Sequence, residues 1–128
     1  MIVLDTHVVV WAYLAPEKLS FRALDAVGRA DMFGLSTISL WEIAMLTKKG
    51  RDIVDFPIPP EEWMKRLVRQ ERVRLLPISP EIAMRSVTLS MHGDPSDRVI
   101  AATALVHQCK LVTVDENITD AKVVETIW

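Results

Sequence analysis

The sequence predicts an α/β fold, a mostly parallel sheet covered on both faces by helices, and three observations carry that expectation. Short apolar runs alternate along the chain with helical stretches of ten or so residues, which is the pattern of βαβ units. The first run, Ile2-Val3-Leu4, ends at Asp5 and feeds directly into a helical segment, as a buried strand does. At 128 residues and 50% hydrophobic, the chain is long enough for one buried core and short for two, so a single domain over residues 1–128 is expected. No internal repeat, linker or low-complexity segment interrupts it.

Each element has its own signals. Thr6 onward reads as helix through Leu14, before Pro16. Ser20 caps a second helix with Phe21, Ala23, Leu24 and Val27 at helical spacing and Arg22, Asp25 and Arg29 opposite. Met32 to Ser36 is a second strand. Ser39 opens a helix from Leu40 to about Lys48, closed by Lys48, Lys49 and Gly50. Phe56 to Pro60 is a proline-broken loop, followed by a helix whose first turn holds Glu61 and Glu62 and whose later half carries Lys65, Arg66, Arg69 and Arg72. Arg74 to Ile78 is a third strand. Ser79-Pro80-Glu81 then starts a helix to about Met91, and after the loop His92-Gly93-Asp94 another helix begins at Pro95 and runs through Val106. Leu111 to Val114 is a fourth strand ending on Asp115, and a fifth is expected around Val123 and Val124.

The bulk numbers exclude several classes. The longest apolar run, Val8 to Ala15, is well below the roughly 20 residues a membrane span needs. No basic residue precedes the first apolar stretch, as a secretory leader would require, so a cytoplasmic protein without membrane attachment is expected. Cys109 stands alone, which rules out an internal disulfide and fits a buried or half-buried thiol with no catalytic role. A net charge of −2 argues against a uniformly basic nucleic-acid surface. It leaves room for an acidic pocket whose charge is offset by divalent cations where a phosphate arrives.

Four carboxylates define that pocket. Singly, each has an ordinary explanation: Asp5 caps the helix that follows it, Glu42 stands three residues after Ser39 at the spacing of a capping box, Asp97 stands three after Asp94 at the same spacing, and Asp115 forms a turn. Together they point elsewhere, because the α/β pattern places all four at strand ends or in first helical turns along one rim, where ligands bind in open α/β sheets. Crowded carboxylates repel unless protons or cations separate them, and Mg²⁺ and Mn²⁺ take carboxylate and water oxygens. The matching chemistry is phosphodiester hydrolysis by activated water. Rival sites lack support: there is no dinucleotide or P-loop glycine pattern, and one cysteine with His7, His92 and His107 scattered makes no zinc site. His7 and His107 read as packing or solvent-edge residues and His92 as a solvated loop residue at the pocket rim.

Four segments, Ile2-Val3-Leu4-Asp5-Thr6-His7, Ser36-Thr37-Ile38-Ser39-Leu40-Trp41-Glu42-Ile43-Ala44, His92-Gly93-Asp94-Pro95-Ser96-Asp97-Arg98-Val99-Ile100-Ala101-Ala102 and Leu111-Val112-Thr113-Val114-Asp115, resemble the PIN-domain family in order and content, above all the VapC-type toxins of toxin–antitoxin pairs. The resemblance implies a three-layer α/β/α fold around a mostly parallel sheet of four to five strands. It also implies Mg²⁺- or Mn²⁺-dependent endoribonuclease activity, inhibition by a small VapB-like antitoxin, and a homodimer. By motif, Asp5, Glu42, Asp97 and Asp115 match the catalytic and metal-binding quartet, with Asp5 and Asp97 as direct ligands and Glu42 and Asp115 acting partly through water. Thr113 matches a position where a hydroxyl orients a carboxylate or a bound water, and Thr6 is a candidate for the same task. Asp94 is either a supporting acid or only a cap, and Arg98 either pairs with an acid or grips phosphate.

Lys65, Arg69 and Arg72, at i, i+4 and i+7, form an expected basic helix face, and Lys48, Lys49 and Arg51 a second patch. Either would hold an RNA backbone, and each is equally a solvated surface. Trp11 and Trp63 read as interface anchors or as core residues, and Trp41 as core. By the resemblance, an antitoxin lies across a groove between these helices and inserts a basic side chain toward the acids. Three alternatives stand beside the toxin nuclease: a catalytically silent PIN-like module that binds RNA or a partner, a solitary RNA-processing nuclease, and a structure-specific DNA nuclease, for which so short a chain has little room for duplex-clamping elements.

Overall fold

The computed structural model describes residues 1–48 and 54–128. Five strands, β1 (Ile2–Leu4), β2 (Phe33–Ser36), β3 (Val73–Leu76), β4 (Leu111–Val112) and β5 (Thr126–Ile127), form one sheet in the order β3-β2-β1-β4-β5, and every pairing is parallel. Among the described residues seven helices cover it: α1 (Thr6–Leu14), α2 (Phe21–Arg29), α3 (Thr37–Lys48), α4 (Pro60–Leu67), α5 (Pro80–Thr88), α6 (Pro95–Val106) and α7 (Glu116–Ala121). A short 3₁₀ turn, Pro16–Lys18, follows α1.

Strand side chains alternate between two cores. Leu4, Phe33, Leu35, Val73 and Val112 point to one face and pack with Val8 and Val9 of α1, Ala23 of α2, Ile43 of α3 and Trp63 and Leu67 of α4. Val3, Leu76 and Leu111 point to the other, against Ile100, Ala101 and Ala104 of α6 and Ile118 of α7. Two cores separated by one sheet make the expected three-layer α/β/α fold. Gly34 is needed where the second face is tightest, since a Cβ there would come within 2.7 Å of Leu76 Cδ1 and 3.2 Å of Val3 Cγ2.

From β1 the chain steps outward to β2 and β3, then returns across the sheet to place β4 on the other side of β1. Strand order therefore reverses between β1 and β4, and a crevice opens beyond their carboxyl ends. Asp5 leaves the end of β1 and Thr113, Val114 and Asp115 leave the end of β4, with the Asp5 N–H bonded to the Val112 carbonyl at 3.0 Å.

Several boundaries differ from the sequence reading. α3 begins at Thr37, so Ser39 and Glu42 lie inside it and form no capping box; Glu42 sits in its second turn. α5 ends at Thr88 rather than Met91, because Leu89 is already extended. α7 was not expected: Asp115, read as a turn former, caps it. That helix ends at Lys122 in the left-handed region (φ 55°), which carries Val123 and Val124 into partial burial against the second core and delays the fifth strand to Thr126, paired with Leu111.

The basic face on the fourth helix does not form. α4 stops at Leu67, so Arg69 and Arg72 lie beyond it, and Lys65 pairs with Glu61 at 3.1 Å. Arg72 donates to the carbonyls of Val27 and Ala30 and lies 4.5 Å over the Phe33 ring, fastening α2 to β2. Lys48 is exposed, and Lys49, Gly50 and Arg51 lie outside the described residues. Trp63 is core, at 7% exposure, while Trp11 is partly buried. Cys109 is half-buried, with its Sγ 3.3 Å from the His107 carbonyl. Among the described residues no helix is long and apolar enough to cross a membrane.

Candidate active site

The crevice at the β1/β4 switch is a cleft of about 950 Å³, and Asp5, Glu42, Asp97 and Asp115 all line it. They come from four separate segments: the end of β1, α3, the first turn of α6, and the turn after β4.

Asp5 is 6% exposed and the most constrained. Its Oδ1 accepts the Thr6 N–H at 2.7 Å, capping α1, and its Oδ2 accepts the Thr113 hydroxyl at 2.6 Å. Burial lifts its carboxyl above the usual carboxylate range, against the lowering effect of those two bonds, and the charge of Glu42 adds to the rise. The Thr113 hydroxyl also accepts the Asp115 N–H at 3.0 Å, so one side chain joins the ends of β1 and β4.

Glu42 is held on both oxygens. Thr6 donates to Oε1 at 2.6 Å and Ser96 donates to Oε2 at 3.1 Å. Ser39, buried beneath, lies 2.9 Å from the Thr6 hydroxyl. Asp115 accepts the Ile118 N–H at 3.2 Å as the cap of α7.

Asp97 accepts the Asp94 N–H at 3.3 Å, so the Asp94–Asp97 capping box does form. Its carboxyl is nevertheless pushed up to about 7, first by burial and then by the charges of Asp115, Asp5 and Glu42. Capping and clustering are therefore compatible: the same side chains start helices and crowd one another across the cleft.

The remaining predicted residues separate. Asp94 lines the mouth of the cleft and is exposed. Arg98 neither pairs with an acid nor faces a phosphate position: its guanidinium donates to the carbonyls of Ser86, Met91 and Leu89 at 2.5–2.9 Å, tying α6 to the α5–α6 loop. All three guanidinium nitrogens are thus turned toward backbone carbonyls, and Arg98 is not among the residues that line the cleft. His7 lines the cleft beside Trp11, with ring centroids 5.6 Å apart, whereas His92 is exposed outside it. Trp41 corrects the core reading. The buried face of α3 is Ser39, Ile43 and Leu46, which turns position 41 outward, and the indole is 58% exposed on the cleft wall with Met45 and Val114.

Sequence reading passed over Ser96 and gave Ser39 and Trp41 other places, a helix start and the core, where the structure puts a hydroxyl beneath Thr6 and an indole on the cleft wall. The signal for Ser96 was its place between Pro95 and Asp97 in the first turn of an acidic helix start, but its partner, Glu42, lies 54 positions away.

Among the described residues no lysine or arginine lines this cleft and the four acids join no ion pair. The charge that lifts Asp97 is thus uncompensated by the protein, and oxygen donors suit a hard divalent cation. No three acidic, histidine or cysteine side chains among the described residues close into a ready-made cage.

The sequence profile of the PIN domain matches residues 2–124, a span that contains all four acids. The chain belongs to the PIN-domain family. Ribonuclease VapC22 of Mycobacterium tuberculosis is 38% identical over 119 residues, which cover 91% of this chain and 88% of that protein, so within the PIN domains the chain is of VapC type. Its fold is that of a toxin–antitoxin complex from Klebsiella pneumoniae (TM-score 0.68, 21% identity, 97% of this chain and 95% of that one). VapBC2 from Rickettsia felis, bound to a DNA fragment from its promoter, is similar as well (TM-score 0.68, 16% identity, 98% and 97%). The match in fold is nearly end to end.

Proposed function

We propose that this PIN domain is a Mg²⁺- or Mn²⁺-dependent endoribonuclease and the toxin of a toxin–antitoxin pair. The carrying observation is that four carboxylates from four segments face one cleft, with no ion pair to them among the described residues, and that burial, followed by the charges of the other three, lifts Asp97 to about 7. The name of the 38% identical relative, Ribonuclease VapC22, supports the same reaction class.

Asp5 and Asp97 would hold the cation, with Glu42 and Asp115 orienting water beside it. When bound, the ion supplies an activated water and offsets the charge of the phosphate in the cleft. The chain's own residues prepare for this. Thr113 and the Thr6 N–H fix both Asp5 oxygens, so this carboxylate presents one orientation. Asp97, pushed up to about 7, keeps its proton to higher pH than an ordinary carboxylate and would give it up to a cation that took the proton's place as counter-charge. The apolar wall of Trp41, Met45 and Val114 excludes water from one side and offers a surface for an antitoxin, whose basic side chain would complement the acids. Pairing of two copies would cover the exposed Ile78, Met84 and Val87.

Protein purified free of any antitoxin should cleave RNA with Mg²⁺ or Mn²⁺ and stop with EDTA. If cleavage persists in EDTA, the proposal fails. Should RNA remain intact and the melting temperature be unmoved by millimolar Mn²⁺, the silent-module reading replaces it, since a ligand of the folded state raises stability. A parallel digestion of duplex DNA separates the two nuclease classes.

A further inference from the structure

We propose that Ser96 is a positioning residue: with Thr6 it clamps the Glu42 carboxylate between the first turns of α1 and α6 and so sets Glu42 against Asp97. The inference rests on the metal-dependent reading above and concerns how that site keeps its shape.

The terminal torsion of a glutamate is broad, so a single hydrogen bond leaves the carboxylate plane free to swing. Two donors on opposite oxygens remove that freedom. Here they come from elements far apart in sequence: the Thr6 hydroxyl reaches Oε1 at 2.6 Å across 36 positions and the Ser96 hydroxyl reaches Oε2 at 3.1 Å across 54. Thr6 has one hydroxyl hydrogen, and the shorter contact assigns it to Glu42. Ser39, 2.9 Å away and fully buried, then gives its hydrogen to the Thr6 oxygen, which leaves Thr6 no competing acceptor.

Ser96 could instead have bonded to backbone near its own position, the usual habit of a serine in a first turn. Its hydroxyl crosses to α3 instead. Asp97 is the next residue, and its Oδ2 takes the Asp94 N–H, so the turn that holds Asp97 is fastened at one point to its own cap and at another to Glu42. A shift of α6 relative to α3 would move Asp97 and release Glu42 together. Ser96 thereby couples two acids that share no direct bond.

The test uses antitoxin-free full-length protein with Ser96→Ala, Ser96→Thr, Glu42→Gln and the double variant Ser96→Ala/Glu42→Gln. Mn²⁺ binding is measured by calorimetry, and unfolding by urea in EDTA. Loss of a residue that orients a metal-site carboxylate typically weakens metal binding 10- to 100-fold, so Ser96→Ala should bind Mn²⁺ about tenfold more weakly, and Ser96→Thr, which keeps the hydroxyl, should restore most of it. In the Glu42→Gln background the same Ser96→Ala change should add little. On RNA, Ser96→Ala should lower kcat while KM stays near the parent's. Parent-like Mn²⁺ binding by Ser96→Ala, or an equal loss with and without Glu42, overturns the clamp. A parent protein that binds no Mn²⁺ overturns the metal reading instead, and the urea cycle in EDTA then decides the clamp by itself: coupling between positions 96 and 42 supports it, and strict additivity rejects it.

Discussion

Trp41 and Glu42 are neighbours on α3 and both face the cleft, yet they belong to two differently built halves of it. On the acidic side every carboxylate is fixed by donors from the chain: Thr6 and Thr113 on Asp5, Thr6 and Ser96 on Glu42, Asp94 on Asp97, Ile118 on Asp115. On the apolar side Trp41, Val114 and Met45 keep 58%, 41% and 37% of their surface exposed. The acidic half is complete in position and short of positive charge. The apolar half is short of a covering surface. Chemistry and partner binding thus draw on adjacent but separable groups.

The comparison can be broken by substitutions that move one half alone. The largest effect is expected from Asp97→Asn, which should lower RNA cleavage by about 10²-fold or more. Because it removes a carboxyl already crowded by three others, its melting temperature in EDTA at pH 8 should equal or exceed the parent's. A coincident loss of stability would mean that Asp97 serves as a cap before all else. Next, Trp41→Ala should weaken antitoxin binding by about 2 kcal/mol, the scale of an aromatic interface anchor, while urea stability changes by less than about 0.5 kcal/mol. A large fall in stability would return Trp41 to the core.

Thr113→Val keeps the shape of the side chain but strips a donor from the buried Asp5 and an acceptor from the Asp115 N–H. A loss of about 1–3 kcal/mol in urea unfolding is expected. No change there would mean that solvent reaches Asp5 more freely than its 6% exposure implies.

The most gradual effect is one of pH. Asp97 titrates near 7 in the folded chain and in the ordinary carboxylate range, near 4, when unfolded. Between those values the folded state holds the extra proton, so its contribution to stability, full at low pH, should decline as pH rises from about 4 to 7 and then level off. Thermal melts in EDTA should show this decline, and Asp97→Asn should reduce it, leaving the part that the raised Asp5 carboxyl contributes.

Much of this was legible in sequence because it is local. A three-residue apolar run ending in Asp5, the Asp94–Asp97 offset and the Leu111 to Val114 run fix the strand ends and helix starts that carry three of the four acids. What escaped had one of two causes. A spacing of three residues is shared by a capping box and by any stretch of helix, so Ser39 and Glu42 looked like a helix start when they lay inside one. Other features depend on partners remote in sequence: Ser96 on Glu42, Arg72 on the end of α2, and Arg98 on three carbonyls of the preceding helix and loop. Trp41 escaped because apolar character predicts burial on average, while the indole's direction is set by which face of α3 Ile43 and Leu46 occupy.

The Thr113–Asp5 bond spans 108 positions and joins the earliest strand to one of the last. Contacts of such separation form late, after the loop-closure entropy of the intervening chain has been overcome. A growing polypeptide therefore carries Asp5 and Glu42 for most of its synthesis without the Asp97 and β4 segments that complete their arrangement. The ribosome making this protein is exposed to an unfinished cleft until the segment carrying Thr113 and Asp115 has emerged.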